Sequence, residues 1–165
     1  MGELRHRHRL RRREIRRVAD ELEAAFGVRT FGEEDPVDLA EMGQFRVLML
    51  GEVALALMTE AGACLTVRGL LRWPATKRFV SVDRGAIKFI CNGADVMGPG
   101  IVEADPIIRE GEPVWVRDAE HRRPLAVGRA LVGAGAMASR APGRAVRSIH
   151  HAGDELWSLG SREGA

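Results

Sequence analysis

Between residues 11 and 26 apolar side chains recur at steps of three and four. Ile15, Val18, Ala19, Leu22 and Phe26 fall on one side of a helical wheel, while arginines and acids fill the rest. That period predicts an amphipathic helix, and Gly27 is placed to end it. The pattern then changes. Val37–Leu39, Phe45–Leu50 and Val53–Met58 are short apolar runs suited to strands, the last two joined by a plausible hairpin turn at Gly51-Glu52. Residues 64–73 read as another strand followed by a helical turn. Pro74 marks a boundary, and Ala75–Arg78 a short linker.

Beyond the linker the runs are shorter still. Phe79–Val82 predicts a strand and Ala86–Cys91 a short helix. Val114–Val116, Leu125–Leu131 and Ala145–Ile149 predict further strands broken by turn residues. Many short strands with regular turns suit a small closed or half-closed barrel. The pattern alone gives an α+β chain with a boundary near Pro74 and a small barrel after it, in one domain or two.

Within Val82–Ile101 four glycines, at 85, 93, 98 and 100, punctuate these runs, and the last two flank Pro99. Glycine allows tight turns and close approach of another chain. Two readings of Gly93–Gly100 stay open: a tight helix-to-strand connection, or a surface whose backbone N–H groups face phosphate or sugar oxygens. Asp95 would repel phosphate, so its expected use is to accept hydrogen bonds.

The order of motifs resembles the PUA domain, an RNA-binding module named for pseudouridine synthases and archaeosine transglycosylases. Val82-Asp83, Gly85-Ala86, Gly93–Met97 and Pro99–Ile101 open the match. Val114–Val116, Ala126–Gly128 and Gly153–Trp157 continue it. The preceding segment, around Cys64-Leu65-Thr66, is similar to the pre-PUA domain of the malignant T-cell amplified sequence and ligatin proteins, although Leu65-Thr66-Val67 stands where many relatives have Pro-Thr-Leu. The resemblance implies an α+β fold in two domains, a pre-PUA domain over residues 1–75 and a PUA pseudo-barrel over residues 76–160; neither catalysis nor a cofactor is expected. It implies binding of structured RNA, tRNA or small-subunit rRNA, in translation initiation or ribosome recycling. A role as accessory subunit of a separate RNA-modification enzyme is the alternative. The candidate RNA-binding residues are Lys88, Asn92, Gly93, Ala94, Asp95, Met97, Gly98, Pro99, Gly100, Arg140, Arg144, Arg147 and His150; Lys88 reads equally as the exposed position of a half-buried helix, the arginines as a solvated loop and strand face, and His150 equally as a structural residue.

Charge sharpens this expectation. The net charge of +2 conceals a segregated chain. Residues 1–17 carry eight arginines against Glu3 and Glu14. Residues 18–75 carry ten acids against four arginines, a balance better suited to a protein partner than to RNA. Residues 121–153 hold six arginines and no acid. Such sorting favours polyanion contact at chosen places. The first nine residues read as a basic tail adding sequence-independent phosphate attraction. Aromatic residues are only 5% of the chain, which argues against base stacking as the main mode. On a strand, Arg144 and Arg147 would point to opposite faces.

No Walker loop, nucleophile elbow or metal-ligand spacing is present, and Cys64 and Cys91 read as buried thiols of a reducing compartment. No apolar run approaches the length of a membrane span. A cytoplasmic location is expected.

Overall fold

Two antiparallel hairpins and a charged edge strand build the first sheet. The computed structural model describes residues 2–159; Gly160, the expected end of the second domain, lies outside them. The elements of this half are β1 (Leu4–Arg9), α1 (Arg12–Phe26), β2 (Val37–Met42), β3 (Phe45–Leu50), β4 (Val53–Thr59), β5 (Gly62–Leu65) and α2 (Val67–Arg72). The strands lie in the order β1-β2-β3-β4-β5. Gly51 adopts φ 64°, the left-handed conformation that a two-residue hairpin with matching twist requires. As its period predicts, α1 buries Ile15, Leu22, Ala25 and Phe26, and it stops at Gly27, whose N–H donates to the Glu23 carbonyl. Glu21 on its outer side accepts from the Ala63 N–H at 2.8 Å, tying α1 to β5.

The expected basic tail is instead β1, paired antiparallel with β2. The stretch shows no apolar alternation because its stability comes from charge pairing. Asp38 on β2, nearly buried, accepts from Arg9 Nε at 2.6 Å and from Arg7 Nε at 2.8 Å. The bond from Arg9, with that from Arg7, holds the Asp38 carboxyl below the usual carboxylate range against the opposing effect of burial. The pairing extends further, with Arg7 on Glu52, Arg12 on Glu34 and Arg16 on Glu33. The basic start and the acidic middle of the chain thus neutralise one another in part, so fewer acids remain for a partner than the sequence suggests.

The second half comprises β6 (Phe79–Val82), α3 (Arg84–Ile90), β7 (Val96–Met97), β8 (Ile101–Ala104), β9 (Pro113–Asp118), β10 (Pro124–Ala130), α4 (Ala134–Ala138), β11 (Arg144–His151) and α5 (Glu155–Ser158). Its sheet runs β7-β11-β10-β9-β6-β8. Only β6 with β9 is parallel; the other pairs are antiparallel. The two edge strands, β7 and β8, are consecutive in the chain and separated only by the 3-10 turn Gly98–Gly100. Three residues span at most about 11 Å, so the six-stranded sheet must curl until its edges nearly meet. That constraint makes the nearly closed barrel and sets the glycine segment at its seam. Val80, Val82, Ile90, Val96, Ile101, Val114, Val116, Met137 and Val146 fill the interior.

The outer face of the barrel packs on the first sheet: Trp115, Val127 and Leu156 belong to the same buried cluster as Phe26, Leu48 and Leu57. A polar clasp reinforces this contact. His150 is completely buried; its Nε2 accepts from the Val67 N–H at 3.1 Å, and its Nδ1 lies 2.8 Å from Asp154 Oδ2. A backbone N–H can only donate, so Nε2 is the acceptor and the proton sits on Nδ1. Nearby, the Arg68 guanidinium stacks 3.6 Å from the Trp157 ring centre and donates to the Trp157 carbonyl.

Candidate nucleic-acid interface

At the seam a groove opens between α3 and the strand edge. Ala86, Phe89, Ile90, Ala94, Val96, Met97 and Gly100 line it, and Asp95 and Arg144 complete its wall. Phe89 and Met97 are exposed at 63% and 49% and stand together in this one groove. Asp95 Oδ1 accepts from the Ser148 N–H at 2.9 Å, and Oδ2 lies 3.3 Å from Arg144 Nη1. The carboxylate therefore fastens the seam to β11 and pairs with Arg144 in the groove wall, a hydrogen-bond acceptor as expected.

The glycines have unequal roles. Gly93 turns the chain with φ 91°, which favours glycine. Gly98 is buried; a Cβ there would lie 1.7 Å from the Ala141 carbonyl oxygen, so its absence lets the seam close. Gly100 has no positive φ, and a Cβ would meet only Ala86 at 3.5 Å, leaving it as groove floor.

Three of the segment's backbone donors are taken. The N–H groups of Gly93, Ala94 and Gly98 already donate to Ile90, Phe89 and Gly143 carbonyls. What the seam offers is apolar surface beside a cation. Pro99 is exposed, and its carbonyl accepts from the Arg140 guanidinium, which also lies 3.8 Å from Asp83. Arg140 and Arg144 are thus gathered at the seam. Lys88 and Asn92 are exposed near it but do not line the groove.

Two expected residues lie elsewhere. His150 points into the contact between the sheets, where both ring nitrogens are engaged and RNA has no access. Arg147 faces a different groove, between the barrel and the first sheet; residues three apart on a strand do take opposite faces. Phe89 escaped the sequence reading because Phe-Ile inside a short helix looks like core, and only the helix orientation shows that Ile90 is buried and Phe89 is not. Among the described residues no group of three or more His, Cys, Asp or Glu is placed to hold a metal ion, and no helix is long and apolar enough to cross a membrane.

Comparison with known proteins places this geometry in context. Residues 78–152 match the PUA domain. An uncharacterized protein of Methanocaldococcus jannaschii is 34% identical over 159 residues, 95% of this chain and 98% of that protein. Translation machinery-associated protein 20 of Saccharomyces cerevisiae is 34% identical over 94 residues; the match spans about half of each protein, 53% of this chain and 52% of the relative. Among solved structures, a conserved PUA domain protein from Thermoplasma acidophilum superposes with a TM-score of 0.78 at 28% identity, covering 92% of this chain and 97% of that one.

Proposed function

The chain belongs to the PUA-domain family of translation machinery-associated protein 20 and the malignant T-cell-amplified sequence proteins, and from that membership we propose that it binds structured RNA at the barrel seam. The RNA is a tRNA or small-subunit rRNA, engaged in the cytoplasm during initiation or ribosome recycling, and the chain contributes binding rather than catalysis. One observation carries this reading: exposed Phe89 and Met97 stand beside Arg144, itself paired with Asp95, in one groove. An unstacked base or ribose covers the apolar pair while the guanidinium meets the adjacent phosphate, a combination suited to loops and strand ends. Arg140 adds charge at the rim.

Filter binding of the full chain to tRNA and to small-subunit rRNA fragments tests the proposal, with Phe89→Ala and Arg144→Gln as variants. Affinity should fall linearly with log salt, by about 0.7–0.9 log units per phosphate engaged. A flat salt response, or variants that bind as the parent does, would sink the seam as the RNA site. Pull-downs locate the partner: recovery of ribosomal subunits supports the translation role, whereas recovery of RNA-modification enzymes moves the protein to the delivery of RNA to a separate catalyst.

A further inference from the structure

Away from the seam, the outer face of the barrel carries a second concentration of positive charge. β10 and β11 run side by side there, and Arg129 stands directly opposite Arg147 in their antiparallel register. One step further along each strand the same face is apolar, since Val127 and Ile149 pack into the core shared with the first sheet. The arginines therefore begin where that contact ends, at the mouth of a groove. The opposite wall comes from the first sheet, with Gln44 and Phe45 at the β2–β3 turn and Thr59–Ala61 at the end of β4.

Like charges directly opposite on neighbouring strands repel, and little in the protein offsets this pair. Arg129 Nη1 lies 3.8 Å from Glu60, whose side chain is 94% exposed, and its Nε donates to the Gly111 carbonyl. Among the described residues the Arg147 side chain has no hydrogen-bond or ion-pair partner. This contrasts with the first half of the chain, where Arg7 and Arg9 on β1 and Arg12 and Arg16 on α1 each have an acid. Two guanidinium forks converging on one open groove match the several acceptor oxygens of a phosphate. β11 also links the groove to the seam: Arg144 and Arg147 are about 10 Å apart along it at roughly 3.3 Å per residue, and because they take opposite faces the RNA passes from one to the other around the β11 edge beyond Val146, where pairing with β7 ends.

We propose that the groove between the two sheets is a second phosphate site, in which Arg129 and Arg147 hold the backbone of the same RNA that occupies the seam, with Gln44 of the first sheet at its border. This rests on the RNA-binding reading above. It adds that the RNA touches both sheets, so the first sheet is part of the recognition surface.

Photo-crosslinking in the full chain tests it, with p-benzoylphenylalanine replacing Phe89 in one protein and Gln44 in another. Crosslinks to RNA from both positions are expected. Crosslinks from the Phe89 position alone would overturn the groove and leave the seam standing; crosslinks from neither would overturn both. In filter binding, Arg129→Gln and Arg147→Gln should each weaken RNA by about threefold to tenfold and shallow the salt slope by about 0.7 per lost contact. Arg147→Lys should keep most of the slope. Inorganic phosphate and a poly-glutamate peptide serve as competing probes. If either protects the parent but not the double variant against thermal unfolding, while the variant binds RNA as the parent does, the groove serves a free anion or an acidic protein and the proposal fails.

Discussion

Replacing His150 with alanine separates a structural histidine from an RNA contact. In the folded protein the ring is inaccessible, accepts from Val67 and faces Asp154. Alanine leaves the Val67 N–H, the first of α2, buried without an acceptor, at a cost of about 1–3 kcal/mol. Asp154 keeps the N–H groups of His151 and Trp157 but loses its ring partner, and the missing ring leaves a void between the sheets. The terms are not independent, so about 3–4 kcal/mol is expected in all, a melting shift on the order of 10 °C for a chain of this size. Urea titrations of parent and variant at pH 7 give the stability change. RNA binding is then measured at a temperature where both remain folded, and it should agree within about twofold. His150→Gln should recover part of the loss, since its amide oxygen can accept from Val67. The reasoning is refuted if the alanine variant keeps the parental denaturation midpoint, or if a fully folded variant loses RNA affinity.

Three further outcomes are expected. Phe89→Ala should weaken RNA binding by about 1–3 kcal/mol, the worth of one stacked base, while stability stays within about 0.5 kcal/mol because the ring is exposed; unchanged affinity in a titration would remove Phe89 from the interface. Deleting residues 2–9 should lower the urea midpoint, because it strips β1 from β2 and leaves Asp38 without Arg7 and Arg9; an unaltered midpoint would mean that the segment is the loose tail its composition suggests. Asp38, through its bond from Arg9, and Asp154, where burial is outweighed by bonds from His150 and local backbone, both lie below the ordinary carboxylate pKa when folded. Each adds stability that is complete above the unfolded value of about 3.9 and is lost as pH falls through the lower folded value. Stability curves for Asp38→Asn and Asp154→Asn should therefore be flatter than the parent's below about pH 4, and curves parallel to the parent's would contradict this.

Elements with a clear apolar period or a distinctive turn were legible in the sequence. The helix closed by Gly27, the Gly51-Glu52 hairpin and the strands around Val114, Leu125 and Ala145 all appear where the pattern puts them. β1 was not, because a strand stabilised by cross-strand ion pairs has no hydrophobic signature. β7 and β8 were missed because two and four residues carry no readable period, although their juxtaposition closes the barrel. Of the candidate site, Gly100, Met97, Asp95, Arg140 and Arg144 do gather at the seam. His150 does not, since a histidine in a basic run gives no sign of burial. Arg129 drew no attention because its neighbour Arg147 is set by strand register, which linear spacing does not encode.

The shared core has a consequence for how the chain acquires its structure. Trp115, Val127 and Leu156 complete a cluster otherwise built from the first half of the chain, and β1 waits for β2, some thirty residues downstream, before it has a partner. A chain made from its N-terminus forward thus holds the first sheet's hydrophobic face unsealed until nearly its last helix exists. A nascent chain halted before α5 leaves the place of Leu156 in that face uncovered.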